Sequence, residues 1–157
     1  MRFQITSLIF LLTLSCKSAE PLPKVDRIEL RQSGESAIDI EIDTRGVGRY
    51  ELSNFPKKQA GSFSLTAQQH AALLKQLEPF QKEAEPLTDE SIERVLEARC
   101  PEGVPSVTDA GGFWVHWVGP DYDSHYSADF GCDYERLRAR NDELRGILRS
   151  LPIRLPT

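Results

Sequence analysis

Beyond its first sixteen residues the 157-residue chain has no apolar run that charge does not interrupt, so no later segment reads as a membrane-spanning helix. It also has no basic cluster: 19 Lys and Arg stand against 24 Asp and Glu, a formal net charge of −5. That balance argues against nucleic acid and against electrostatic attachment to anionic lipid. No Gly-x-Ser-x-Gly elbow is present, and Gly46-Val47-Gly48 lacks the third glycine of a dinucleotide fingerprint. Asp129-Phe130-Gly131 spells the kinase magnesium motif without a glycine-rich loop or catalytic His-Arg-Asp ahead of it. Histidine is limited to three residues, and no His-x-x-x-His spacing occurs. No cofactor is expected.

What is present begins at the N-terminus. Met1-Arg2 is a short positive start, followed by an apolar run from Ile5 to Leu14 broken by Thr6, Ser7 and Thr13. Ten helical residues span about 15 Å, roughly half a bilayer core, which is the length of a signal peptide and not of an anchor. Ser15-Cys16 closes the run. This ending resembles the lipobox of bacterial lipoproteins, whose cysteine is diacylated and becomes the mature N-terminus. The match is not complete, because Thr13 stands three residues before the cysteine where the family usually places leucine. The alternative is an ordinary secretory signal cut near Ser15 or Ser18. Lys17 follows the cysteine where an inner-membrane retention aspartate would stand, so the resemblance implies the outer membrane.

The expected organisation is a signal peptide over 1–15, a polar, proline-broken tether over 16–24 and one domain over 25–157. Removal of 1–15 takes away one base, Arg2, and no acid. If Cys16 is acylated, Cys100 and Cys132 remain to pair in an oxidising compartment. Such a bridge closes a loop of about 32 residues and contributes roughly 3–4 kcal/mol on the chain-entropy account.

Period-two alternation starts at Arg27. Ile28 and Leu30 alternate with charged neighbours, as do Ile38, Ile40 and Ile42, and a third run carries Tyr50 and Leu52 on one face. Glycine-containing turns between the runs predict a three-stranded antiparallel meander with one wet face. The period then lengthens. Thr66 and Gln69 form a capping-box pattern ahead of a stripe of Leu73, Leu74, Leu77 and Phe80. A shorter amphipathic helix opens at Thr88 and carries Ile92, Val95 and Leu96. Strands over about 113–118 and 125–130 follow, then a helix from Asp133, read as an N-cap, to about Ser150. The expected fold is α+β, a meander plus a C-terminal hairpin in an antiparallel sheet, with about three helices packed on one face.

The candidate site is the hairpin. Alternation puts Phe113, Val115 and Trp117 on one face, and Trp114, His116 and His125 on the other. With Val118 opposite His125 the two histidines are diagonal neighbours, and a tip over 119–124 adds Asp121 and Asp123. Two imidazoles and two carboxylates suit Zn²⁺ in type but not in spacing, and the same types are common on a solvated edge face. Trp114, His116, His125, Asp121 and Asp123 are therefore the candidate binding face, for an envelope protein or a glycan. Since both histidines alternate outward, replacing them is expected to change stability little. His70 reads as a boundary histidine beside the leucine stripe. Asn141 reads as paired with a nearby polar or backbone group.

Besides the lipobox-like start, the turn Asp43-Thr44-Arg45-Gly46 leading to Tyr50, with Phe63, Leu65, Gln69 and Leu73 after it, resembles uncharacterised lipoproteins of Gram-negative bacteria. The resemblance covers about residues 25–80, and the chain lacks the cysteine pair that many such domains carry ahead of the second strand. It implies location and a strand–turn–strand–helix fold, not an activity. Three functions follow as expectations. The first is a non-enzymatic envelope lipoprotein held to the membrane through Cys16 and presenting its domain to a macromolecule. The second is a metal-dependent hydrolase using the His116/His125 face, and the third is a periplasmic inhibitor working through the 119–124 tip. Metabolic labelling with a clickable fatty acid should mark the wild type and leave Cys16→Ser unmarked. A labelled serine variant would overturn the anchor while leaving export standing.

Overall fold

Three runs of alternating apolar and charged residues fold into the expected meander of β1 (Arg27–Gln32), β2 (Ala37–Asp43) and β3 (Val47–Ser53). In this computed structural model the described residues are 22–34, 37–53, 59–97 and 100–153. The expected signal peptide, Cys16 and the expected tether as far as residue 21 lie outside them. The β2–β3 turn is built by Asp43, whose Oδ1 accepts the backbone N–H of Arg45 and of Val47, each at 2.9 Å. Gly46 takes the left-handed φ of +77° that the turn requires.

A fourth strand, β4 (Gln59–Ser64), extends the meander and was not anticipated. It is an edge strand that buries only Phe63, so its sequence carries almost no alternation. Its signal is complementary size across the ladder. Phe63 lies opposite Gly48, and Tyr50 opposite Gly61. A Cβ on Gly48 would fall 2.2 Å from the Phe63 ring, and one on Gly61 would fall 2.6 Å from the Tyr50 hydroxyl.

Thr66 then caps α1 (Ala67–Lys82) with both bonds of the capping box in place. Leu73, Leu77 and Phe80 are buried from this helix, whereas Leu74 is exposed. A two-residue strand, β5 (Glu85–Pro86), leads into α2 (Asp89–Glu97). The hairpin is β6 (Gly112–Gly119) with β7 (Tyr122–Asp129), and α3 (Arg138–Ser150) follows. The strands make one fully antiparallel sheet in the order β4-β3-β2-β1-β6-β7-β5. Its inner face carries Ile28, Leu30, Ile40, Phe113, Val115 and Trp117, packed with the apolar stripes of α1 and α3.

Two expectations about helices are corrected. The helices do not share one face: α1 and α3 cover the inner face, whereas α2 lies on the outer face, where its Ser91 meets His125. The last helix begins at Arg138 and not at Asp133, which has a left-handed φ of +48° in the turn before it. Asn141 is buried; its Oδ1 accepts from Arg140 and its amide lies 3.4 Å from the Phe130 carbonyl. Half-buried His70 sits at the boundary of α1 beside Gly46. No helix among the described residues is long and apolar enough to cross a membrane.

The Cys100–Cys132 disulfide is present, with Cα atoms 5.2 Å apart. It ties the end of α2 to the base of the hairpin. The intervening loop runs alongside that base, with Val107 N–H donating to the Gly131 carbonyl at 3.1 Å and Asp133 N–H to the Pro105 carbonyl at 2.9 Å. Reduction should lower stability by roughly 3 kcal/mol. Urea unfolding with and without reductant reads this, and an unchanged midpoint would show that the bridge constrains nothing.

Candidate functional site

The outer face is organised as rows running across the strands. One row spans the sheet in register: Arg49, Glu41, Glu29, His116, His125 and Glu85. Strand alternation predicted the right face for Trp114, His116 and His125, but the register is shifted. Val118 faces Asp123, so the two histidines stand directly opposite each other. The tip is not a loop over 119–124. Gly119 pairs with Tyr122, and only Pro120 and Asp121 turn the chain. Asp121 is left exposed at the tip, away from the histidines, while Asp123 is a strand residue that reaches His116.

Neither histidine is solvated. His116 is 8 % exposed and His125 1 % exposed, because α2 and β5 cover this end of the outer face. The expectation that replacing both would change stability little rested on solvated rings, and it loses that premise. The phase was right, but a helix on the second face was not foreseen.

His116 lies between two carboxylates, with Nδ1 3.1 Å from Glu29 Oε2 and Nε2 2.5 Å from Asp123 Oδ1. Both ring nitrogens thus face carboxylate oxygens. Burial pushes the Glu29 carboxyl up, but bonds from His116 and Arg27 outweigh it and hold Glu29 below its usual range. The charge on this row is thus locally compensated.

His125 is held differently. Trp114 Nε1–H donates to its Nδ1 at 3.2 Å, which fixes the proton of the neutral ring on Nε2. Nε2–H in turn meets Ser91 Oγ at 3.0 Å. Ser91 itself donates to the Thr88 carbonyl at 3.0 Å and accepts the Thr88 N–H at 2.9 Å. Glu85 Oε1 lies 3.8 Å from the same Nε2. Serine, histidine and glutamate are close, but they do not form a nucleophilic triad. Both acid and hydroxyl approach one nitrogen, the other nitrogen is occupied by the indole, and the hydroxyl proton points at a carbonyl.

Trp114 roofs both rings, with centroids 5.0 Å from His116 and 6.3 Å from His125. The Arg31 guanidinium lies over the Trp114 ring, 5.7 Å from its centroid. Among the described residues no group of three His, Cys, Asp or Glu is arranged to hold a metal. The ring nitrogens that a metal would take are already bonded within the fold.

Beside this network lies a groove of about 870 Å³ on the outer face. Ile92, Val95 and Leu96 of α2 form one wall, Trp114 and Arg31 the other, and Leu87 closes one end. The amphipathic pattern of α2 was legible, but its apolar side does not pack into the core. Ile92 is 41 % and Leu96 80 % exposed, while the one side chain this helix buries is Ser91. Ser91, Glu29 and Glu85 were not anticipated. The reciprocal Thr88/Ser91 spacing at the helix start was the only available sign of Ser91.

Comparison of the chain with protein-family models and with curated proteins finds no match.

Removing the buried His125 ring leaves a cavity and takes the acceptor from the Trp114 indole N–H, so His125→Ala should cost about 2 kcal/mol or more, against nearly nothing for Asp121→Ala. Burial holds His125 below its ordinary value, with the charges of His116 and Arg94 adding to this and those of Glu85 and Asp123 opposing it. The unfolded chain therefore takes up this proton first. The stability from the neutral ring is complete above about pH 6.5 and is lost as pH falls through the lower folded value. Urea unfolding at pH 7.5 and 5.5 should show wild type weakening on acidification and His125→Ala weakening less.

Proposed function

We propose that this protein is an exported, outer-membrane-anchored lipoprotein whose domain binds another macromolecule of the envelope and carries out no chemistry itself. The observation that carries this reading is the placement of α2. A helix ordinarily turns its apolar side to the core. Here Ile92 and Leu96 are turned outward beside a half-buried tryptophan, and the helix is held instead by Ser91, an Arg94–Glu85 ion pair at 2.5 Å and a disulfide. Exposed apolar side chains gathered around an aromatic ring at a concave surface are the composition of a binding site.

Compartment and anchor rest on the signal-like start, Cys16 and the disulfide, which suits an oxidising space. The hydrolase reading loses support, because the two histidines it needed are committed to Glu29, Asp123, Trp114 and Ser91. The inhibitor reading loses its loop, since a two-residue turn offers little to insert.

The test is affinity capture from envelope extract with the soluble domain, run in parallel on variants. Leu96→Asp and Trp114→Ala should lose the captured material, while Lys75→Asp on α1 should retain it. Equal capture by all four proteins would place the interaction elsewhere and overturn the groove.

A further inference from the structure

Arg31 and Asp129 are the charged residues among the groove's lining, besides His125, and the helix that walls it carries further charge just beyond its apolar side. Successive residues of a helix are 100° apart. With Ser91 directed at the sheet, the order around α2 is Val95, Ile92 and Leu96 on the groove side, then Asp89, Glu93 and Glu97 just beyond them. These three acids stand at intervals of four, are exposed, and have no ion-pair partner among the described residues. The two other charges of α2 are occupied: Arg94 bonds Glu85 at 2.5 Å and Glu90 at 3.0 Å. On the opposite wall the Arg31 cation is already matched by Asp39. An apolar strip with an uncompensated acidic border about 12 Å long therefore runs along the groove.

We infer that the occupant is a basic amphipathic helix of a partner protein, with aliphatic side chains seated between α2 and Trp114 and lysine or arginine placed over Asp89, Glu93 and Glu97. This rests on the groove reading above and adds the partner's chemistry. The pattern is that of helix-in-groove recognition, in which apolar anchors at i, i+3, i+4 and i+7 supply affinity and flanking charges supply selectivity. A glycan would use Trp114 but would have no need of the acidic border. An acidic partner would meet three uncompensated carboxylates.

The test uses the soluble disulfide-bonded domain and a capped fourteen-residue peptide of leucine at i, i+3, i+4 and i+7 with lysine elsewhere, followed by tryptophan fluorescence and calorimetry. A leucine/glutamate peptide of the same spacing and a tetramer of N-acetylglucosamine are the other two probes. The lysine peptide should bind at least tenfold more tightly than the glutamate peptide. Charge reversal of the rim, Asp89→Lys with Glu93→Lys and Glu97→Lys, should invert that order. Ile92→Ala with Leu96→Ala should weaken the lysine peptide tenfold or more; both side chains are exposed, so the fold is retained. Binding of the lysine peptide that survives both sets of substitutions would overturn the inference as nonspecific charge attraction. Binding of the sugar alone, abolished by Trp114→Ala, would overturn the basic helix and leave the groove standing. No binding of any probe at millimolar concentration would overturn both.

Discussion

The pairing of β1 with β6 is the contact on which the rest of the molecule depends. It joins a meander and a hairpin that are far apart in the chain, so that Glu29 and His116, 87 positions apart, become neighbours. On the inner face it sets Ile28 against Trp117 and Leu30 against Val115, which makes two small apolar surfaces into one core. On the outer face it completes the row from Arg49 to Glu85. Without this pairing there is neither a continuous core for α1 and α3 nor a charged clamp for His116. Long-range antiparallel pairing of this kind carries a loop-closure cost before it gains stability. The apolar residues on both sides of it offset that cost.

The two faces of the sheet follow different physical rules. The inner face is held by burial of aliphatic and aromatic surface, which is non-directional and roughly proportional to area. The outer face is held under α2 by a polar network in which each bond assigns the next: indole to imidazole, imidazole to hydroxyl, hydroxyl to carbonyl. Such a network contributes little net stability per bond, but it becomes costly when one member is lost. Helix α2 has therefore exchanged a packed attachment for a specified one. Its apolar side remains available because attachment does not consume it.

How much was legible follows from which forces leave a local trace. Alternation at Ile28, Leu30, Ile38, Ile40 and Ile42 and the Thr66/Gln69 capping box record contacts close in sequence, and those elements form as expected. The cysteine pair was legible because only two cysteines remain after the lipobox-like position. β4 was not legible, since Gln59-Ala-Gly-Ser-Phe-Ser is shaped by the rings of Tyr50 and Phe63 across the ladder and not by its own periodicity. Strand phase put Trp114, His116 and His125 on the face they occupy, yet His116 and His125 were read as solvated because nothing local distinguishes a wet sheet face from one that a later-docking helix covers. The two-residue turn at Pro120-Asp121 shifted the register by the same kind of failure, a tertiary preference overriding a loop-like composition.

The double attachment of α2 also decides what the disulfide holds. This helix contributes no apolar side chain to the core, and it is secured at its start by β5 and at its far end through Cys100. A reduced chain can complete the sheet and its inner face, because neither draws on the bridge. The outer wall then keeps β5, the Ser91–His125 bond and the Arg94–Glu85 pair, but loses its covalent hold at the far end. The bridge therefore bears on the outer concavity and not on the core.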